Sequence, residues 1–355
     1  MIWTTKPYMI EDVTPGMILG RPVMSEKGKV ILSENAVLTD PAIRRLAEWG
    51  YHLIYIKEPT LESTDNLLSM VSERRSFTQR HTQTVKVLKD AFERTRFFKE
   101  VPLAQMTELA DQSIDTMINT TGVISFLKSI RSTDDYTFQH SVNVGIIAGV
   151  LGKWMGIKGE ALREVVLTGL LHDIGKTQVP LEILNKPGGF TPAEQETMQE
   201  HATFGYELMK QTNQLSKDVL LGVWQHHERM NGEGYPFGLA NGDISLYARI
   251  IAVADTYDAM TTDRVYKAAV TPFRVVEEVF GEIFCKLDPM VSMTFLENLK
   301  DSLIGYVVRL SDGKEARVVY LDKSRPAQPV VKIGDGEYID LEKRRDLNIV
   351  EVIST

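Results

Sequence analysis

Apolar positions recur at helical spacing through the middle of the chain and at strand spacing near its end. Between residues 61 and 119, Val85, Leu88, Phe92 and then Met106, Leu109, Met117 mark apolar helix faces. Pro102 separates the two runs, because proline lacks an amide donor and clashes with the preceding turn. From about 122 to 300 the pattern is almost wholly helical. Beyond Ser302 it alternates in Ile304–Leu310, turns at Ser311-Asp312-Gly313-Lys314 and resumes in Ala316–Leu321, which predicts a β-hairpin followed by short strands. The beginning mixes short apolar stretches with the turn signals Pro15-Gly16 and Glu26-Lys27-Gly28, then gives one helical segment from Thr39-Asp40-Pro41 to Trp49-Gly50. The predicted fold is mainly α: a helical core at 122–302, a small α+β module at 1–58, a helical linker at 59–121 and a small β-rich module at 303–355. The linker helices suit a homodimer seam.

With 355 residues, 43% of them hydrophobic, the chain can bury one sizeable core and carry small satellites. A formal net charge of −8 argues against broad binding to DNA or to an anionic membrane, both of which select clustered Lys and Arg. An anionic substrate must therefore meet a local positive site. Cys285 is the single cysteine, so no internal disulfide can form, and its expected role is packing. The first residues lack the basic start and apolar stretch of a signal peptide, and no apolar run approaches the roughly 18 residues that span a bilayer. These features predict a cytoplasmic protein.

Chemistry concentrates in the helical core, which holds five of the seven histidines. The apolar helix Glu160–Leu171 runs into His172-Asp173, followed by Gly175-Lys176. Thr191-Pro192-Ala193-Glu194 has the form of a capping box, so a helix should start there and carry His201 near its third turn. Val219–Trp224 leads into the pair His226-His227, whose side chains would point about 100° apart on a helix. Asp255 lies one turn after Ile251 on an apolar run, and His140 opens another apolar helix, Val142–Leu151. Alone, each has an ordinary reading as a packed histidine or an ion-paired acid. Together they point to a metal site, because a buried carboxylate beside imidazoles wants a cation. His52 and His81 fall outside the core and are read as playing no part. Lys176 can hold a phosphate oxygen, and Arg264 and Lys267 share a helix face soon after Asp255. Gly232 and Gly234 shape a loop that ends in Tyr235-Pro236.

Taken in order, these motifs resemble the HD-GYP subfamily of the HD phosphohydrolases. The matching text is Tyr136–Val144, Leu170–Lys176, His226-His227-Glu228-Arg229, Gly234-Tyr235-Pro236, Ala248-Arg249-Ile250, Ala254-Asp255 and Asp263-Arg264. The resemblance covers roughly 122–300 and implies an HD-type helical bundle that cradles two or three iron or manganese ions and hydrolyses cyclic di-GMP. By position, His172, Asp173, His201, His226, His227 and Asp255 match the metal ligands, with Asp173 as the bridge. Asp173 and Lys176 take the catalytic positions, and Lys176, Arg264 and Lys267 match positions that hold substrate phosphates. Three-metal members carry a glutamate where this chain has Tyr136, which implies two divalent ions here and assigns His140 to the substrate side. Asn231 replaces the usual loop aspartate, and Arg264-Val265-Tyr266-Lys267 replaces Arg-Pro-Tyr-Arg; both bear on guanine preference and loop shape. The expected activity is a phosphodiesterase of bacterial second-messenger signalling that yields the linear dinucleotide or GMP. The alternatives are hydrolysis of another nucleotide, cyclic or not, and a catalytically silent nucleotide sensor.

Overall fold

The computed structural model describes residues 3–25, 30–34, 36–59, 61–120, 123–128, 130, 136–261, 286–301, 303–322, 325–334, 337–344 and 346–354. Its contacts divide the chain into two units, Met1–Arg75 and Ser76–Thr355. In the first unit, β1 (Trp3–Met9) pairs antiparallel with β5 (Leu53–Pro59), and the short β2 (Ile18–Leu19) pairs with the other edge of β5. β3 (Val23–Met24) and β4 (Val30–Leu32) form a separate antiparallel pair. The period of two in β5 turns Ile54 and Ile56 inward, where they meet Leu19, Leu38 and Leu46. Leu46 comes from α1 (Asp40–Glu48), which starts where Asp40-Pro41 predicts.

The long helix α2 (Leu61–Phe98) leads into the second unit and ends before Pro102. It is followed by α3 (Leu103–Glu108), a widened π turn over Leu109–Ile114 and α4 (Asp115–Ile118). The sequence predicts one ordinary helix here. The widened turn brings Leu109 and Ile114, five residues apart, into the core together. Next come α5 (Val123–Lys128), α6 (Tyr136–Trp154) and α7 (Gly159–Leu171). Then follow α8 (Leu181–Leu184), α9 (Pro192–Gln199), α10 (His201–Lys210), α11 (Lys217–Gln225), α12 (Leu246–Thr261) and α13 (Pro289–Asp301).

α6 is apolar nearly all round and is buried from Gln139 to Gly152, against α4, α7, α12 and α13. The chain closes with an antiparallel sheet in the order β10-β6-β7-β8-β9, formed by β6 (Val307–Leu310), β7 (Glu315–Asp322), β8 (Arg325–Ile333), β9 (Glu337–Asp340) and β10 (Ile349–Ser354). β6 and β7 are the expected hairpin, in register Val307↔Arg317 to Arg309↔Glu315. The architecture is thus mainly α with small strand-rich ends. Among the described residues, no helix is long and apolar enough to cross a membrane.

The site lies where α7 and the 3-10 turn Ile174–Gln178 after it meet α10, α11 and α12. The capping box forms as predicted: Thr191 N–H donates to Glu194 Oε2 at 2.7 Å and Glu194 N–H to Thr191 Oγ1 at 3.4 Å. The helix it starts does not reach His201 unbroken. The ladder is interrupted at Glu200, and His201 becomes the first residue of α10.

Candidate metal centre

Three of the core histidines sit at helix ends and make the same local bond. His172 follows α7 and its Nδ1–H donates to Gly169 O at 2.7 Å; His201 does so to Met198 O at 2.7 Å; His226, following α11, to Val223 O at 2.6 Å. A carbonyl oxygen only accepts, so Nδ1 carries the proton on each ring and a neutral ring presents a bare lone pair at Nε2. Burial holds the His201 imidazole down at about 4, and holds His226 and His227 well below the ordinary histidine value, so all three are neutral near pH 7.

These lone pairs converge. His201 Nε2 lies 3.3 Å from His226 Nε2, with no proton left to place between them. Asp173, 1% exposed, offers Oδ1 at 3.4 Å from His201 Nε2 and Oδ2 at 3.3 Å from His172 Nε2. Burial alone would raise its carboxyl, but His172, Lys176 and His201 hold it well below the usual range, so it is ionised. Facing lone pairs beside a buried carboxylate repel one another unless a cation sits among them. The donor set of Asp173, His201, His226 and His227 comes within 4.8 Å and fits a divalent metal of imidazole and carboxylate preference.

A second group of donors, His140, His172 and Asp255, is equally close. His140 was expected on the substrate side. The structure places it here, with Nε2 3.0 Å from Asp255 Oδ1 and Nδ1 2.7 Å from Asp258 Oδ2. Without a cation, burial would lower its pKa, yet the two carboxylates carry it up to about 10. Asp255 is correspondingly held low, against its burial, chiefly by His140. Asp255 and His227 are the less buried members and mark the open side. Lys176 is also partly exposed, with Nζ 2.6 Å from Asp173 Oδ2 and a 26% exposed side chain. Arg264 and Lys267 lie outside the described residues.

The family pattern described as the HD domain matches residues 126–278. A cyclic di-GMP phosphodiesterase of Pseudomonas aeruginosa is 34% identical over 242 residues, covering 68% of this chain and 58% of that protein. A 3'3'-cGAMP-specific phosphodiesterase of Vibrio cholerae is 37% identical over 171 residues, 48% of this chain and 39% of that one. An HDG"Y"P protein from Bdellovibrio bacteriovorus shares the fold, with a TM-score of 0.52 at 17% identity over 84% of this chain and all of that one. The core is an HD domain of the HD-GYP subfamily. The chain spans only 58% of the length of its Pseudomonas relative.

The loop that gives the subfamily its name is fixed from beneath by Glu228. This buried carboxylate accepts Phe237 N–H at 2.7 Å and Leu239 N–H at 2.8 Å. Gly234 is required by crowding, since a Cβ there would lie 2.4 Å from both Arg229 N and Glu228 Cα. Asn231 shapes the same loop, accepting Glu233 N–H at 3.1 Å and donating to Glu233 Oε2 at 2.8 Å. Tyr235 then stacks on His227, centroids 4.6 Å apart at 26°, and covers one flank of the HD-GYP centre. Glu228→Gln turns an amide towards one of these N–H donors. The expected loss is about 2 kcal/mol, read as a melting point lower by about 4–8 °C with faster proteolysis within residues 230–243. Unchanged melting and cleavage would show that the loop stands without Glu228.

Sequence reading missed three residues around this HD-GYP centre. Asp258, three residues after Asp255, shares its helix face, a spacing that could have flagged it. His81 sits four residues before Val85 on the apolar stripe of α2 and is 1% exposed. Glu228 carried no signal beyond its place next to His226-His227.

Proposed function

We propose that this chain is a metal-dependent phosphodiesterase that hydrolyses cyclic di-GMP to the linear dinucleotide, or on to GMP, in the cytoplasm. The observation that carries the reading is Asp173, one oxygen turned to each of two donor groups. That arrangement suits two divalent ions, iron or manganese, with His201, His226 and His227 on one side and His140, His172 and Asp255 on the other. Bound cations supply Lewis acidity at the phosphoryl group and bring the pKa of a water from 15.7 towards about 7.

The chain's own residues do the rest. Lys176 is tethered to Asp173, half-buried, and reaches a non-bridging phosphate oxygen without leaving its turn. Tyr235, whose hydroxyl is pushed up by burial and so stays protonated, keeps an O–H donor near neutral pH and excludes water from the His227 side. Arg264 and Lys267 are assigned the distal phosphate, so that one ester linkage at a time meets the centre. The naming of several relatives as cyclic di-GMP phosphodiesterases supports the substrate. The Vibrio relatives named for 3'3'-cGAMP make the mixed dinucleotide the second reading.

The test is anaerobic loading with iron or with manganese, followed by product analysis on both dinucleotides. Metal-dependent cleavage of cyclic di-GMP, with kcat/KM at least tenfold above that for 3'3'-cGAMP, is expected. The reverse ratio would move the substrate to the mixed dinucleotide. Binding without cleavage by the metal-loaded chain would make it a nucleotide sensor.

A further inference from the structure

Helix α2 reaches the centre at two points along its length. The first is His81, whose Nε2 lies 2.7 Å from Asn143 Oδ1 on α6. Asn143 Nδ2 in turn donates to Asp258 Oδ1 on α12 at 2.8 Å. Asp258 Oδ2 takes the Nδ1–H of His140 at 2.7 Å, and His140 Nε2 faces the group with His172 and Asp255. The direction of this chain is forced. A carboxylate only accepts, so Asn143 must turn its NH2 to Asp258 and its carbonyl oxygen to His81, which must present an N–H at Nε2. Reversing the amide would set an oxygen against a carboxylate in a buried site.

The second point is Arg96, fifteen residues further on, about 22 Å along the helix. Its Nη2 donates to Lys176 O at 2.8 Å and its Nη1 to Val179 O at 3.1 Å, and Lys99 donates to Gln178 Oε1. One helix therefore grips the turn that follows Asp173 and, through two intermediates, the ring of His140.

We propose that α2 is the positioning element of the metal centre, and that His81 acts through Asn143 and Asp258 to hold His140 Nε2 on the His172/Asp255 group. The proposal rests on the reading that this group holds a cation. Partners one bond removed from a ligand fix its tautomer and orientation, and losing one costs about 10–100-fold in metal affinity; here that partner is Asp258, which His81 holds through Asn143. His81 is a positioning residue: it touches neither substrate nor metal.

The experiment is manganese titration of the full chain by calorimetry, with melting of the metal-free protein measured in parallel. His81→Leu removes the donor, and His81→Gln keeps an N–H at similar reach. Wild-type protein is expected to bind manganese in two classes. His81→Leu should weaken one class by about 10-fold, the low end of the loss for a partner bonded directly to a ligand, and spare the other, and His81→Gln should recover most of the loss. Wild-type-like binding by His81→Leu overturns the proposal, as does a Gln variant no better than Leu, or an equal loss in both classes. If His81→Leu does not fold, the flexible His81→Met takes its place; failure of both to fold makes His81 a purely structural residue and also overturns it. A single class in the wild type would instead sink the underlying two-cation reading, and the positioning role with it.

Discussion

On the proposed function, Asp173→Asn is expected to abolish turnover of cyclic di-GMP, lowering kcat by at least about 10³-fold, equivalent to about 4 kcal/mol. The substitution keeps the shape of the side chain and leaves its hydrogen-bonding neighbours in place. It replaces one of the two oxygens, at 3.3 and 3.4 Å from His172 and His201, with an NH2 that cannot ligate a metal. It also removes the negative charge that pairs with the Lys176 ammonium. One donor group therefore loses its carboxylate oxygen, and the whole centre loses a unit of negative charge. Metal uptake gives an independent readout. A cation bound only by the folded state, at a thousand times its Kd, stabilises the wild type by about 4 kcal/mol, so chelation should lower its melting point by about 8–16 °C. Asp173→Asn should melt near the chelated wild type, with or without manganese. A variant that keeps either the metal-dependent shift or the turnover would remove Asp173 from the role of bridge.

The main lines of this fold follow from local patterns. The helical period from 122 to 300, the break at Pro102, the capping box at Thr191 and the alternation of the 304–321 hairpin each record a rule acting within a few residues. The histidines were legible for the same reason, since His172, His201 and His226 stand beside apolar helices whose ends are marked by sequence. What escaped was set by contacts distant in sequence. His140 meets Asp258 across 118 positions and His81 meets Asn143 across 62, so no window along the chain shows that His140 faces a carboxylate pair. The interruption at Glu200 was equally hidden. The capping box fixes where a helix begins but not where it pauses, and the bond from His201 Nδ1–H to Met198 O at that pause shows only in the folded chain. Arg96 looks like any cation late in a long helix until its partners on Lys176 and Val179 are seen.

Gly175→Ala is expected to damage the centre without touching a single ligand. The added Cβ would lie 1.8 Å from His201 O and 2.4 Å from Gly205 N. Both obstacles are backbone, so no rotamer change relieves them; either the 174–178 turn or the start of α10 must move. The turn is anchored on one side by His172-Asp173 and on the other by Arg96, and it is therefore α10, carrying His201, that yields. Overpacking of this kind costs about 3 kcal/mol, which for a unit of this size lowers the melting point by about 6–12 °C. Because His201 Nε2 then leaves its place opposite His226, manganese affinity should fall as well. Gly189→Ala supplies the comparison, since a Cβ there meets nothing within 4 Å, and its melting point and metal binding should match the wild type. Equal melting of the two variants would mean that the turn and α10 are not in backbone contact. A lower melting point with metal affinity intact would mean that the turn moves and His201 stays, placing the rigidity of the centre in α10 and α11 rather than in the HD turn.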